Sequence, residues 1–233
     1  MKRKRWLKSV NLAIEGIIYS VRTQRHMRYH FYAALAAVVL SLVLSISRNE
    51  FILLCMAIVL VLVTELLNTA IEITVDMISE DYHPMAKVAK DIAAGVVLTA
   101  SIGALTLGYL ILYPALTAAF ASGHWHLRKM PNDVVAFSSL AVVIILVIII
   151  KAFLGKGEPL RGGMPSGHAA VSFSIWTDAF YLAHNIPIIV LIFLLAVMVS
   201  WSRWSAGIHR PLEVISGALL GAGVTFLFFW LFG

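Results

Sequence analysis

Residues 51–78, FILLCMAIVLVLVTELLNTAIEITVDMI, decide the fold. The run is apolar over most of its length, without the alternation of a strand. It outlasts the 9–11 residues of a barrel strand and exceeds the roughly 20 that carry a helix across a bilayer. Six further apolar runs repeat it, at 30–47, 89–113, 134–154, 169–182, 188–204 and 212–232. The run at 169–182 is short and must borrow length from its flanks. The chain has 233 residues, 61% of them hydrophobic and 13% charged, about half the charge of a soluble domain. These features predict an all-α integral membrane protein with about seven transmembrane helices, three in the first half and four in the second.

Residues before the first run read as an N-terminal amphipathic interfacial helix. Trp6, Val10, Ile14, Ile17, Ile18 and Val21 share one face, opposite Lys4, Lys8, Glu15 and Arg22. Such a helix suits the headgroup layer, where basic side chains meet anionic lipid. The net charge of +6 is therefore assigned to the membrane surface, with no nucleic acid as partner. A single cysteine, Cys55, excludes an intrachain disulfide. With the N-terminus in the cytoplasm, 15 of the 18 Lys and Arg residues fall on the cytoplasmic side and only Arg48, Arg128 and Lys129 fall outside. That asymmetry predicts the orientation. Pro114, Gly123, Pro131 and the polar run between them divide the chain into residues 1–116, an extracytoplasmic linker at 117–133, and residues 134–233.

Inside the run at 51–78, Glu65, Asn68, Glu72 and Asp76 fall at about 0°, 300°, 340° and 20° around an ideal helix, an arc of roughly 80°. Ionisable groups inside a span are costly and mark a functional site by default. Carboxylates this close call for a divalent cation, and Mg²⁺ bridging to nucleotide phosphates suits hard oxygen ligands. Glu65-Leu-Leu-Asn68-Thr-Ala-Ile-Glu72, Asp76, Tyr82-His83-Pro84 and Ala89-Lys90-Asp91 resemble the prokaryotic diacylglycerol kinase and undecaprenol kinase family, over residues 5–113. The resemblance implies a three-span kinase, usually a homotrimer, that moves the ATP γ-phosphate to a lipid hydroxyl with Mg²⁺. By the same resemblance Glu65 is the general base and Glu72 a metal ligand. Asn68 and Asp76 order the nucleotide site, and Lys90 and Asp91 contact the nucleotide. Gln24 stands where the family has a metal-binding Glu.

The second half carries Pro165-Ser166-Gly167-His168 and, further on, Ser202-Arg203, five residues, and His209. His168 opens one span and His209 closes the next, so two distant loops meet at one face. Exposed amides at a helix start bind anions, and glycine lets backbone approach closely. Arg203, Arg161 and a lysine add charge-assisted bonds to phosphate. One histidine can attack phosphorus while the other protonates the leaving oxygen, with no metal required. The pattern resembles the type 2 phosphatidic acid phosphatase superfamily over roughly 134–233. That implies His209 as nucleophile, His168 as general acid, and Ser166, Gly167 and Arg203 as phosphate ligands. Lys156 and Arg161 stand for the first motif, with Gly162 in place of its proline. Glu213 takes the place of the Asp that orients the nucleophile.

Taken together, these signs predict a bifunctional bacterial inner-membrane enzyme with both sites cytoplasmic. An ATP- and Mg²⁺-dependent lipid kinase is joined to a cofactor-free lipid phosphatase, and the chain is expected to form a homo-oligomer such as a trimer. Undecaprenol and undecaprenyl diphosphate are the favoured substrates. Diacylglycerol with phosphatidate or phosphatidylglycerol phosphate, or one half acting only as a scaffold, are the alternatives. Polar groups gathered at one interface argue against a transporter. The pair His124 and His126 falls short of the three or four ligands of a metal site. Asp178 finds no role in either pattern.

Overall fold

The computed structural model describes residues 2–79, 81–122, 129–154 and 163–233. Among these residues every regular element is helical: α1 (Lys2–Thr23), α2 (Arg25–Val43), α3 (Arg48–Ile78), α4 (Pro84–Ser122), α5 (Asn132–Leu154), α6 (Gly167–Leu182), α7 (Ile186–Ser205) and α8 (Pro211–Phe232). Six of them, α2, α3, α4, α5, α7 and α8, are long and apolar enough to cross a membrane. The chain is a multi-pass membrane protein. Helix α6 has 16 residues, about 24 Å of rise against a hydrocarbon layer of about 30 Å.

Two compact units divide the chain: Thr23–His126, and Met1–Arg22 together with Leu127–Gly233. Helix α1 thus belongs with the C-terminal helices, although it precedes the N-terminal ones in sequence. Near its end, Ile18 and Val21 are each only 1% exposed, so this stretch of the amphipathic face is covered by protein.

In the N-terminal unit α3 packs against both α2 and α4. A capping box starts α3: Ser47 Oγ accepts from the Glu50 amide (3.4 Å), and the Glu50 carboxylate accepts from the Ser47 amide (2.7 Å). The buried side of α3 carries Phe51, Leu54, Val61, Thr64, Glu65 and Thr69. Leu53, Met56, Leu60, Val63 and Leu67 remain exposed on the other side, as a lipid-facing surface requires. Helix α4 runs well beyond the apolar stretch at 89–113. The break expected at Pro114 does not occur, and the helix continues to Ser122 with Pro114 inside it. Proline removes one ladder bond. One turn on, the Thr117 hydroxyl donates to the carbonyls of Tyr113 (3.1 Å) and Pro114 (2.9 Å), and the helix holds.

The C-terminal unit is built around the short helix α6, which contacts α5, α7 and α8. Ser166, Ala170 and Ser174 lie four residues apart and face Gly217, Gly221 and Thr225 of α8. A Cβ at Gly217 would collide with the Ser166 backbone, and one at Gly221 with the Ala170 carbonyl. This is the small-residue pattern that lets two membrane helices approach backbone to backbone. The stripe goes on with a hydrogen bond between the buried Ser174 and Thr225 hydroxyls (2.8 Å). It ends where Tyr181 stacks on Phe229, ring centroids 4.3 Å apart. Asp178, also buried, accepts from Ser139 Oγ of α5 at 3.2 Å. Its partner is a hydroxyl, so it serves to join α5 to α6.

Candidate active sites

In the N-terminal unit α3 presents its polar stripe as the helical repeat requires. Glu65 is 4% exposed. The Thr69 hydroxyl donates to its backbone carbonyl (3.0 Å). One turn away, Asn68 Nδ2 donates to Glu72 Oε1 (3.0 Å) and Gln24 Nε2 approaches Glu72 Oε2 (3.4 Å). Asn68 Oδ1 is buried with no hydrogen-bond partner. Nearer the end of α3, Lys90 Nζ pairs with Asp76 Oδ1, while Asp91 is exposed one residue on. Asn68 and Gln24 thus meet at the Glu72 carboxylate, with Lys90 and Asp76 nearer the end of α3.

Among the described residues no three His, Cys, Asp or Glu side chains cluster as a metal site would. A divalent cation here has to draw on amide oxygens. The orphaned Asn68 Oδ1 beside the Glu72 carboxylate is such a donor, and half a turn of the Gln24 amide would present another. The residues fit a hard cation held by oxygen.

In the C-terminal unit His209 lies in the turn between α7 and α8 and is 4% exposed. Its Nδ1 is 2.8 Å from Glu213 Oε2. An ionised carboxylate only accepts, so Nδ1 carries the hydrogen and Nε2 keeps its lone pair. Glu213 is itself held by the amides of Arg210 (3.2 Å) and Gly163. Being one methylene longer than Asp, it still reaches the ring. Burial drives the His209 pKa below its ordinary value of 6.5, against the opposing pull of the Glu213 hydrogen bond. Neutral His209 is therefore the prevailing form near neutral pH.

Among the buried polar atoms of this unit without a hydrogen-bond partner are Ser166 Oγ, Arg203 Nε and His209 Nε2. Buried polar groups are nearly always satisfied. Two donors and one ring nitrogen left open in this way suit an anion such as phosphate. The backbone gathers them. The Ser166 amide donates to the Glu213 carbonyl (2.8 Å), and the amides of Ile208 and His209 donate to the Arg203 carbonyl (3.1 Å each). Gly167 starts α6 with His168 next to it. His168 is half-buried and feels the charges of Arg203, His209 and Lys151.

Two family models together cover most of the chain and meet near residue 111. The family model for prokaryotic diacylglycerol kinase fits residues 11–112, and that of the PAP2 superfamily fits residues 111–233. The undecaprenol kinase of Bacillus subtilis is 39% identical over 112 residues, 48% of this chain and 91% of that protein. The chain belongs to both families. It is a lipid kinase fused to a PAP2 phosphatase. A diacylglycerol kinase of Synechocystis sp. is 35% identical over 123 residues, half of this chain and 70% of its own length. The undecaprenyl-diphosphatase of Sulfolobus acidocaldarius is 39% identical over 77 residues, 32% of this chain and 36% of that protein. No solved structure gives a significant match.

The phosphatase unit also holds a cation that the motif reading set aside in favour of Lys156. Lys151, in the last turn of α5, is 5% exposed, and its charge reaches His168, His209 and Glu213. Lys156 and Arg161, expected to serve the phosphate, lie outside the described residues, as do His124 and His126. A signal for Lys151 was available: it is the only ionisable residue in the apolar run 134–154, and such residues are functional by default.

Proposed function

We propose that the two units make one product, undecaprenyl phosphate, by two routes. The kinase phosphorylates the lipid alcohol, and the phosphatase removes one phosphate from the lipid diphosphate. One observation carries this reading: the kinase half resembles a relative named undecaprenol kinase, and the phosphatase half one named undecaprenyl-diphosphatase.

In the kinase unit Glu65 takes the proton of the lipid hydroxyl as its oxygen attacks the γ-phosphorus of ATP. Glu72, Asn68 and Gln24 would hold Mg²⁺, which neutralises charge on the transferring phosphate. Lys90, Asp91 and Asp76 hold the nucleotide at the open end of the stripe. In the phosphatase unit His209 Nε2 attacks the terminal phosphorus. The bond from that phosphorus to the bridging oxygen breaks, and His168 protonates the oxygen that leaves with the lipid. Water then cleaves the phosphohistidine, with His168 taking its proton. Ser166, the Gly167 amide, Arg203 and Lys151 hold the equatorial oxygens, where charge develops. Lys156 and Arg161 stand ready in sequence to add to them.

The distribution of basic residues supports a bacterial inner-membrane protein with its N-terminus and both sites on the cytoplasmic side. The exposed apolar faces of α3 and α4 suit a homo-oligomer such as a trimer. A second reading, favoured by the match to a diacylglycerol kinase, makes diacylglycerol the acceptor and phosphatidate or phosphatidylglycerol phosphate the phosphatase substrate. A panel of these lipids, given to the purified protein with and without ATP, separates the two. Undecaprenyl diphosphate is expected to release one phosphate and stop at the monophosphate. Release of free undecaprenol would sink the first reading.

A further inference from the structure

A buried hydroxyl in a helix is ordinarily satisfied by a carbonyl one turn back. Thr64 donates to Val61 (2.9 Å), Ser138 to Val134 (2.7 Å) and Thr177 to Phe173 (2.9 Å) in this way. Ser200 of α7 does not. It is 7% exposed, yet its Oγ has no hydrogen-bond partner. A buried donor left open costs free energy, so a partner for it is to be sought beyond its own helix. The neighbouring helix fixes its place. Helices α6 and α7 are joined through the short link Ala183–Asn185 and pack on each other as an antiparallel hairpin. Phe193 sets their register, with its ring 5.0 Å from that of Trp176 and 6.2 Å from that of Phe173. About two turns on from Phe193, α7 reaches Ser200; about two turns back from Phe173 and Trp176, α6 reaches Ser166–Ala169. Ser200 therefore lies level with the start of α6, where Ser166 Oγ is also open and His168 follows. On α7 it shares a face with Ala196, 2% exposed, and with Arg203 one turn on, whose Nε is open as well.

We propose that Ser200 is a substrate-binding residue of the phosphatase, its hydroxyl donating to a non-bridging oxygen of the phosphate that His209 attacks, on the membrane side of Arg203. The inference rests on the reading of this site as a phosphohistidine phosphatase. Ser166 of the α6 start, with Arg203 and Ser200 of α7, then forms one set of donors from two packed helices. Ser200 stands outside both phosphatase motifs, and the serine within the second of them, Ser202, is exposed. A hydroxyl placed here strengthens anion binding without the cost of burying a further charge. Unanswered in the free protein, it gains its partner only when phosphate arrives.

The test uses the full-length protein in detergent, with farnesyl diphosphate as substrate and orthovanadate, which takes the five-coordinate shape of phosphoryl transfer, as probe. Ser200→Ala removes the open donor. The free variant is expected to keep or raise its unfolding midpoint, since no satisfied bond is lost. Its kcat/KM and its inhibition by vanadate should each weaken about tenfold, the value of one hydrogen bond to a charged group. The rise in midpoint at a fixed vanadate concentration should shrink to match. Wild-type kcat/KM and inhibition in Ser200→Ala would mean that the hydroxyl meets only water. Lost activity with a lower midpoint in the free variant would mean that Ser200 serves packing. Either result overturns the inference. A wild-type protein that releases no phosphate from farnesyl diphosphate or phosphatidate, and whose midpoint ignores vanadate, would instead refute the phosphatase reading itself.

Discussion

His209 offers one ring nitrogen to Glu213 and the other to no protein group, and this asymmetry sets its chemistry. The carboxylate fixes the tautomer, leaving the lone pair on the nitrogen proposed to attack phosphorus. Glu213→Gln replaces an obligate acceptor with an amide that donates as well as accepts, so the ring can settle in the wrong tautomer. The variant is expected to lose on the order of 10³-fold in kcat for phosphate release, as other oriented histidines do. Phosphate release at saturating lipid measures this, and a loss below about tenfold would remove Glu213 from its role. The pH dependence has a defined sign. Because burial lowers the His209 pKa, the neutral nucleophile persists as pH falls past 6.5, and activity is lost only as pH passes through the lower value. The acid limb of kcat/KM should therefore lie below the ordinary histidine range, and a limb at or above it would contradict the assignment. Ser166 with His168, and Arg203 with His209 and Glu213, could be named as candidates from the sequence because a short loop or a helical turn fixes the spacing within each group. Lys151 was set aside for Lys156, since only tertiary packing brings the end of α5 near both histidines.

At the scale of elements, the pairing of α6 with α8 decides whether the phosphatase site exists. Gly217 lies against the backbone of Ser166, itself a candidate phosphate ligand, and Gly221 lies against Ala170 one turn deeper. A side chain at Gly221 must push the helices apart and shift the start of α6 away from His209. Gly221→Leu is expected to cost about 1–3 kcal/mol of overpacking and to abolish phosphate release. Thermal inactivation of the phosphatase, followed beside ATP-dependent phosphorylation in the same sample, measures both effects. Phosphatase activity at the wild-type level would show that the close approach is not required. The helices themselves were legible from apolar runs, and the carboxylate stripe of α3 from its repeat. Two features escaped. The end of α4 was misplaced because proline reads as a boundary, whereas Thr117 supports the carbonyls around it. The α6–α8 contact was missed although Gly217 and Gly221 carry the spacing of close membrane-helix pairs; that pattern gains meaning only once the facing Ser166 and Ala170 are known.

At the scale of the whole molecule, one chain that adds and removes phosphate risks hydrolysing ATP to no effect. The reading proposed here avoids this by giving the phosphatase a substrate the kinase does not make. The consequence is stoichiometric. Wild-type protein given undecaprenol, Mg²⁺ and excess ATP should form one ADP per lipid and then stop, with the monophosphate accumulating. If the phosphatase consumed the kinase's product, ADP would go on forming far beyond the lipid supplied. His209→Ala would restore the one-to-one yield, because its kinase unit is intact and its nucleophile is gone. Sustained ADP formation in the wild type that His209→Ala suppresses would therefore refute the convergent reading and make the two units opponents on one substrate. A clean stop at one equivalent, with phosphate released from added undecaprenyl diphosphate in the same tube, would establish two routes to a single lipid.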